Sequence, residues 1–264
     1  LKAEDLPGQA FHNVSTPAET RAAVARVKAN GASLIKLYLL DHDRPDGGDG
    51  LSAAIFAVAV AEAKKLGLTP IVHIENAADF RLAVAAKVHA VVHMPYFIGK
   101  DRDPAQLMIT AKDPTLAAAN KVHVVPTVAV AHGMYDGDRL VRMQAVMRHN
   151  LTLLRDAKVS IGLGADQWNL TLHDEMAYMR ALGLFSGADM LTMATTNGAQ
   201  IAFPGRKIGK IADGYEASFL AWYRPLPGAW SEARDPAMGM REGQIMADTG
   251  GFLAKACTKA DSKP

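Results

Sequence analysis

Short apolar runs alternate with longer segments of helical pattern along the first 170 residues. Five runs have the length and composition of buried strands: SLIKLYLL (33–40), TPIVHIE (69–75), AVVHMPY (90–96), HVVPTVAVA (123–131) and SIGLGAD (160–166). The segments between them have helical periodicity, and some begin at capping residues, such as Thr16 with Glu19 three positions later, or Asn76. Strands that alternate with helices predict parallel pairing through right-handed crossovers.

The predicted strands are apolar on both faces, which is typical of a sheet covered by helices. This pattern leaves two architectures, a closed α/β barrel and an open doubly wound sheet. Neither of the usual glycine-rich phosphate loops follows any of these strands. The sequence therefore predicts an α/β domain without a nucleotide-binding motif of these two kinds.

The pattern changes near residue 204. Residues 204–253 contain short apolar runs joined by glycine turns, including a hairpin around Glu242 and Gly243. Residues 254–264 form a polar tail that we expect to be disordered. We therefore predict an α/β domain over residues 1–203, a β-rich segment over 204–253, and the tail.

Composition excludes several classes of protein. The 264 residues are 49% hydrophobic, carry a net charge of +2 and include one cysteine, Cys257. A net charge this close to zero gives no indication of a nucleic-acid-binding surface. A single cysteine cannot form an internal disulfide. The longest apolar helix pattern, LSAAIFAVAVAEA, is too short to span a membrane. Because the chain begins at Leu1, the lack of a signal peptide says little, and the compartment, whether cytoplasmic, periplasmic or secreted, stays open.

Four predicted strands carry an ionisable group among apolar neighbours: Lys36, His73, His93 and Asp166. In a barrel of parallel strands, the carboxyl ends form the active-site face. A buried ammonium is costly, but a neutral lysine amine can react with carbon dioxide to give an anionic carbamate. A carbamate, two imidazoles and a carboxylate would suit zinc or a similar divalent ion.

Each of these residues also has a plain structural explanation. A strand histidine is often a hydrogen-bonded core residue, a lysine can extend its ammonium to solvent, and GAD is a common turn. The ordered set on four strands favours the metal site. Candidate substrate contacts are His173, His132 and Tyr96, and His42 lies in a loop where it could also meet substrate. Ser218 lies in no nucleophile elbow, so a serine hydrolase is poorly supported.

With these residues in place, the chain resembles the amidohydrolase superfamily, and within it the imidazolonepropionase- and prolidase-related branch. The resemblance runs from about residue 16 to 250. It rests on LIKLYLL, IVHIENAADF, VVHMPY, IGLGAD, LTMATTNGAQ and IGKIADGYEASFLAWYRPL.

The resemblance implies a (β/α)₈ barrel of the TIM type, of which only about strands 4–8 are present, followed by part of a small C-terminal β-sandwich. It also implies that Lys36 is carboxylated and bridges metals, that His73 and His93 are ligands from strands 5 and 6, and that Asp166 on strand 8 binds metal and handles the proton of the attacking water. The expected cofactor is zinc, as one or two ions.

The His-x-His pair of the family's first strand occurs nowhere in this sequence. We therefore expect the chain to be the C-terminal portion of a longer enzyme. Open strand edges would then favour a homo-oligomer, unless a missing N-terminal segment covers them.

The resulting expectation is a metal-dependent hydrolase that attacks amide, cyclic amide or peptide C–N bonds with a metal-activated water. Its substrate would be a small molecule or a short peptide. Two alternatives stay open. One is an inactive fragment or a module for assembly or binding, and the other is an esterase, lactonase or phosphoesterase on the same scaffold.

Overall fold

The computed structural model describes residues 11–46, 48–96, 103–226, 234–249 and 251. The chain divides into two compact units, residues 1–161 and residues 162–264.

A four-stranded parallel sheet lies at the centre of the first unit. Its strands are β1 (Leu34–Tyr38), β2 (Thr69–His73), β3 (Ala90–Val92) and β4 (His123–Val125), and they pair in chain order. Val124 of β4 also forms one isolated parallel bridge, to Ile161. The prediction of a strand throughout SIGLGAD was therefore wrong, because residues 162–166 are in no strand. A doubly wound sheet reverses its strand order at a switch point, so the unbroken order seen here favours the barrel type.

Helices connect these strands. They are α1 (Pro17–Ala29), α2 (Ala53–Lys65), α3 (Ala77–Ala85), a 3₁₀ helix (Pro104–Leu107), α4 (Lys112–Ala119), α5 (Ala129–Met134) and α6 (Gly137–Asp156). The predicted caps are confirmed. Thr16 and Glu19 form a capping box at α1, and the Asn76 side chain accepts the Asp79 N–H at α3. These side chains satisfy N–H groups that the first helical turn leaves without partners.

The prediction of a strand throughout HVVPTVAVA was wrong. The strand ends at Val125, and the second half of the run forms α5. Pro126 has no N–H for the sheet, and Thr127 has a left-handed φ of 51°, so the extended backbone cannot continue. The apolar residues that follow are buried on a helix instead.

Burial alternates along β1 and β2. Ile35, Leu37 and Val72 are buried, whereas Lys36 and His73 on the opposite face are partly accessible. The largest fully buried side chains of the connecting helices include Phe56, Phe80, Met143, Leu151 and Leu154. Each such residue contributes about 1.5–3 kcal/mol when buried, so the helix-covered core fixes the strands that carry the polar face.

The second unit contains α7 (Leu172–Ala181), α8 (Gly187–Thr192), a π-helical turn (Met193–Asn197) and α9 (Gly198–Ala202). An antiparallel sheet follows, in the order β5 (Phe219–Ala221), β6 (Met238–Arg241) and β7 (Gln244–Asp248). The predicted hairpin is confirmed: Glu242 and Gly243 turn between β6 and β7 with φ of 51° and 80°. Positive φ at both positions matches the right-handed twist of the strands.

Residues 204–218 differ from their prediction as short strands, because no strand precedes Phe219 in this part of the described chain. Gly205, Gly209 and Gly214 all have positive φ and turn the backbone repeatedly. The β-sandwich, the number of barrel strands and the division at residue 204 stay predictions, and the tail 254–264 lies outside the described residues. No helix within the described ranges is long and apolar enough to cross a membrane.

Candidate metal centre

The carboxyl ends of β1, β2 and β3 lie level with one another. In register, Tyr38 is opposite His73, and His73 is opposite Val92. Just past the paired residues, the Leu39 N–H donates to the His73 carbonyl at 2.9 Å. Because side chains alternate along a strand, Lys36 and Tyr38 share one face of β1, and the register places His73 on that same face.

His73 presents a nitrogen without a partner. Its Nε2 is buried and has no hydrogen-bond partner among the described residues. The Oε1 of Glu75 lies 3.8 Å away, too far for a hydrogen bond. A buried polar atom left unpaired costs about 1–3 kcal/mol, which suggests that this nitrogen binds something when the protein functions.

His93 faces His73 because the backbone turns at its own position. Val92 is opposite His73 in register and so shares its face of the sheet. Regular alternation along β3 would therefore place the next side chain, that of His93, on the other face. His93 has a left-handed φ of 71°, and its ring centroid lies 4.5 Å from that of His73 in an edge-on arrangement. Such a backbone costs about 1–3 kcal/mol in a residue other than glycine and is concentrated at functional sites.

Thr127 holds the His93 ring. Its Oγ1 lies 2.6 Å from Nδ1 of His93, and its carbonyl accepts the hydroxyl of Tyr96 at 2.8 Å. All three residues are buried. With Nδ1 engaged, Nε2 is the nitrogen of His93 that a ligand would meet. Sequence reasoning missed Thr127 because it placed this residue inside the predicted strand HVVPTVAVA, whereas β4 ends two residues earlier, at Val125. Pro126, which interrupts a strand, was the available signal.

The site keeps His93 neutral. Burial, together with the nearby His73 and Lys36, lowers the pKa of His93 to about 2. Lys36 lies over the ring of Tyr38, with Nζ 5.4 Å from the ring centroid, and that ring lies 5.3 Å from the His73 ring. A neutral imidazole is the form that binds metals. Tyr38 is a further member of the site that sequence reasoning did not single out.

Two imidazoles and a lysine on one sheet face fit a divalent ion. The described residues include no group of three His, Cys, Asp or Glu side chains able to hold a metal. Lysine is outside that set because its ammonium cannot coordinate, whereas a carbamate on Lys36 would supply an oxygen. The observation that supports a metal ion here is the buried Nε2 of His73, which has no hydrogen-bond partner among the described residues and lies beside the ring of His93.

Asp166 belongs to the second unit. Its backbone has a φ of 56°, and its side chain is exposed. Thr171, not Asp166, is the N-cap of α7, and the left-handed backbone of Asp166 agrees with the turn that GAD also predicts. Its place in the metal centre stays a prediction.

The three candidate substrate contacts have different surroundings. Tyr96 is fully buried and supports Thr127. His173 lies partly buried in the first turn of α7. His132 lies in α5, and its side chain is outside the described part of the structure. Contact with substrate remains a prediction for each of them.

A second polar cluster connects the loops after β1 and β2 through Asp79, which is fully buried. Its carboxylate accepts the backbone N–H groups of Asp41, His42 and Glu75, each at 3.1 Å, and lies 2.6 Å from Nδ1 of His42. Sequence reasoning placed His42 among the loop residues but missed Asp79, because an acidic residue in a first helical turn is common.

Asn76 joins the same cluster. Its Nδ2 donates to Oδ1 of Asp41 at 3.1 Å and to Oδ1 of Asp43 at 2.8 Å, while its Oδ1 caps α3. One amide side chain thus starts a helix and secures the preceding loop. The two loops therefore form a single hydrogen-bonded unit beside the metal centre.

Comparisons with known proteins identify a family for the chain. The model of the Amidohydrolase family matches residues 15–246. Among solved structures, an amidohydrolase is 22% identical, with 91% of this chain and 60% of that chain covered and a TM-score of 0.69. An A. niger ochratoxinase is 18% identical, with 90% of this chain and 56% of that chain covered and a TM-score of 0.72. A Xaa-Pro dipeptidase with bound methionine in its active site is 19% identical, with 88% of this chain and 59% of that chain covered and a TM-score of 0.69.

These similarities support an α/β fold of the TIM-barrel type with a partial sheet. The chain spans about three fifths of the length of the structures that it matches. A comparison with curated proteins gives no match.

Proposed function

Because this chain belongs to the amidohydrolase family, we propose that it acts as a metal-dependent hydrolase that adds water across amide, cyclic amide or peptide C–N bonds. The observation that carries the proposal is the pair of neighbouring imidazoles in which Nε2 of His73 is buried without a partner. A bound metal ion would satisfy such a nitrogen, and the proposed chemistry needs a metal ion at this position.

Lys36, His73 and His93 would hold the ion, with Lys36 as a carbamate. Imidazole and oxygen ligands suit zinc, so we propose one or two zinc ions. When bound, zinc would supply a Lewis acid and lower the pKa of water at the site. Thr127 would keep the His93 ring oriented, and the buried side chains of Met94 and Tyr96 would exclude bulk water from behind it.

We propose Asp166 as a further metal ligand and as the group that accepts the proton of the attacking water. The assignment rests on its position as the last residue of SIGLGAD, the segment whose Ile161 pairs with β4 through Val124. We also propose that β1–β4 correspond to barrel strands 4–7, that SIGLGAD occupies the position of strand 8, and that residues 204–253 form part of a β-sandwich.

The proposed substrate is a small molecule or a short peptide. One similar structure is named a Xaa-Pro dipeptidase, so Xaa-Pro dipeptides come first in a panel, followed by N-acyl amino acids and cyclic amides. Esters, lactones and phosphoesters complete the panel, because the same ligands would serve them.

The test combines metal content with hydrolysis. Purified protein should bind zinc, and His73→Asn and His93→Asn should each reduce the bound zinc. His149→Asn is the matched control because His149 is exposed on α6. Zinc binding without hydrolysis of any C–N substrate would contradict the proposal, in favour of a binding module. Hydrolysis confined to esters, lactones or phosphoesters would favour that alternative.

Asp166→Asn tests the proton acceptor in the active protein. The substitution keeps the size of the side chain but removes its charge, so the fold should persist while turnover falls about 10²–10⁴-fold. Circular dichroism and zinc content check the fold and the metal. Near-normal turnover with zinc bound would show that another group accepts the proton, and His173 is the next residue to test.

A further inference from the structure

His42 and Asp79 form a pair with a defined proton position. The Asp79 carboxylate is fully buried, and it accepts three backbone N–H groups as well as contacting Nδ1 of His42 at 2.6 Å. An ionised carboxylate can only accept hydrogen bonds, so a carboxylate surrounded by N–H donors is stabilised in its ionised form. The proton between the two side chains therefore lies on Nδ1 of His42.

This arrangement leaves Nε2 of His42 as the nitrogen that exchanges protons. No residue in the described part of the chain hydrogen-bonds to Nε2, and the side chain keeps 15% of its surface accessible. A buried aspartate bonded to Nδ1–H holds an imidazole in one tautomer and one orientation. His42 thus combines a fixed ring with an accessible nitrogen.

The pair lies at the carboxyl ends of the strands that carry the metal centre. His42 is four residues past Tyr38, the last residue of β1, and Leu39 between them bonds to the carbonyl of His73. Asp79 also accepts the N–H of Glu75, two residues after His73. The same carboxylate therefore positions the loops that follow Lys36 and His73, on the face where parallel barrels bind substrate.

We infer that His42, positioned by Asp79, is a further catalytic residue that protonates the leaving nitrogen, an inference that rests on the proposed hydrolytic function. Water forms a bond to the carbonyl carbon and loses a proton, for which Asp166 is the proposed acceptor. As the C–N bond breaks, the nitrogen takes a proton from Nε2 of the His42 imidazolium. His42 then regains a proton from solvent and Asp166 releases one, so that the enzyme returns to its starting state.

The test uses two amides with the same acyl group, chosen from the substrate class that the panel identifies. One has an alkylamine leaving group, which must be protonated to depart, and the other has 4-nitroaniline, which departs with little help. His42→Asn keeps a donor to Asp79 but removes Nε2. It should reduce kcat/KM about 10²–10⁴-fold for the alkylamide and less than about threefold for the nitroanilide, with unchanged zinc content.

Asp79→Asn should show the same selectivity with a smaller loss, because His42 remains but is no longer held. His149→Asn should leave both rates unchanged. Equal losses for both amides, or a loss of zinc in His42→Asn, would overturn the inference, since either would mark a structural role. Unchanged rates for both amides would overturn it as well.

A separate measurement distinguishes failure of this inference from failure of the proposed function. If the wild-type protein hydrolyses neither amide, the hydrolase proposal fails and the catalytic role of His42 fails with it. ¹⁵N NMR of the histidine rings then still decides the geometry. A proton on Nδ1 of His42 that Asp79→Asn displaces agrees with the pair described here, whereas a proton fixed on Nε2 in the wild type contradicts it.

Discussion

Nδ1 of His93 lies 2.6 Å from Oγ1 of Thr127, and both residues have left-handed backbones, with φ of 71° and 51°. The two residues come from adjacent strands, β3 and β4, and each follows a strand end. The contact joins two strained positions, so each side chain helps to hold the other in place. The orientation of His93 therefore depends on a neighbour 34 residues away in the chain.

Removing the Thr127 hydroxyl should weaken zinc binding. Thr127→Val keeps the shape but removes the hydroxyl that contacts Nδ1 of His93, and we expect the affinity for zinc to fall about 10–100-fold. Thr127→Ser retains the hydroxyl and should stay near the wild-type affinity. Competition titration with a zinc chelator measures both. Equal affinities for the two variants would show that the hydrogen bond does not orient His93.

Lys36→Ala should reduce zinc content if Lys36 supplies a carbamate. A short carboxylic acid such as acetate or propionate should then restore part of the binding, because its oxygens can occupy the position of the carbamate. Lys112→Ala, an exposed lysine on α4, is the control. Full zinc content in Lys36→Ala without added acid would rule out the bridging role.

Asn150 should be important for stability, because its buried side chain holds the chain after β3. Its Nδ2 donates to the carbonyls of Pro95 and Leu107, and its Oδ1 accepts the Ile109 N–H. Asn150→Asp places oxygen against those two carbonyls. We expect the free energy of unfolding to fall by about 2–4 kcal/mol in urea titration.

Asn120→Asp is the matched control for Asn150. The Asn120 side chain is only partly buried and makes one such bond, to the carbonyl of Val84. Its substitution should cost less than that of Asn150. A larger loss at Asn120 would show that the buried network does not determine local stability.

His123 should make the protein sensitive to acid. Burial and the nearby charge of His89 lower the pKa of His123 to about 4, and Nδ1 of His123 lies 2.9 Å from Oγ of Ser160. The unfolded chain has a histidine pKa of about 6.5, so it takes up a proton more readily between pH 6.5 and 4. The free energy of unfolding should therefore fall as the pH decreases through this window and stay unaffected above it.

His123→Gln removes the titrating group, so the decrease between pH 6.5 and 4 should become smaller. Urea midpoints at four or five pH values in this range measure the slope. If wild type and variant have the same slope, other groups cause the acid sensitivity.

The sequence alone predicted features that depend on neighbouring residues. Thr16, Glu19 and Asn76 cap helices as expected, and β1, β2 and β3 lie within their predicted runs. Lys36 and His73 lie on adjacent strands, as the chain order of the alternating elements predicted, but the sequence did not decide which face either side chain occupies.

Features that depend on distant residues were not predicted. The sequence predicted that His73 and His93 lie in one site, but no local pattern indicated the left-handed backbone of His93 that brings the two rings together. The pairing of His42 with Asp79 joins residues 37 positions apart. The apolar run after Pro126 could equally form a strand or a helix, and the backbone of Thr127 decided between them.

The shared carboxylate of Asp79 limits how this site can be redesigned. Because one side chain fixes the backbone of two loops, a loop transplanted by itself would lose its anchor and leave a buried anion short of donors. Residues 41–43 and 75–78 should be exchanged together, with Asp79 retained, when substrate preference is engineered. Libraries that vary both segments around an unchanged Asp79 should therefore yield more folded proteins than libraries that replace either loop separately.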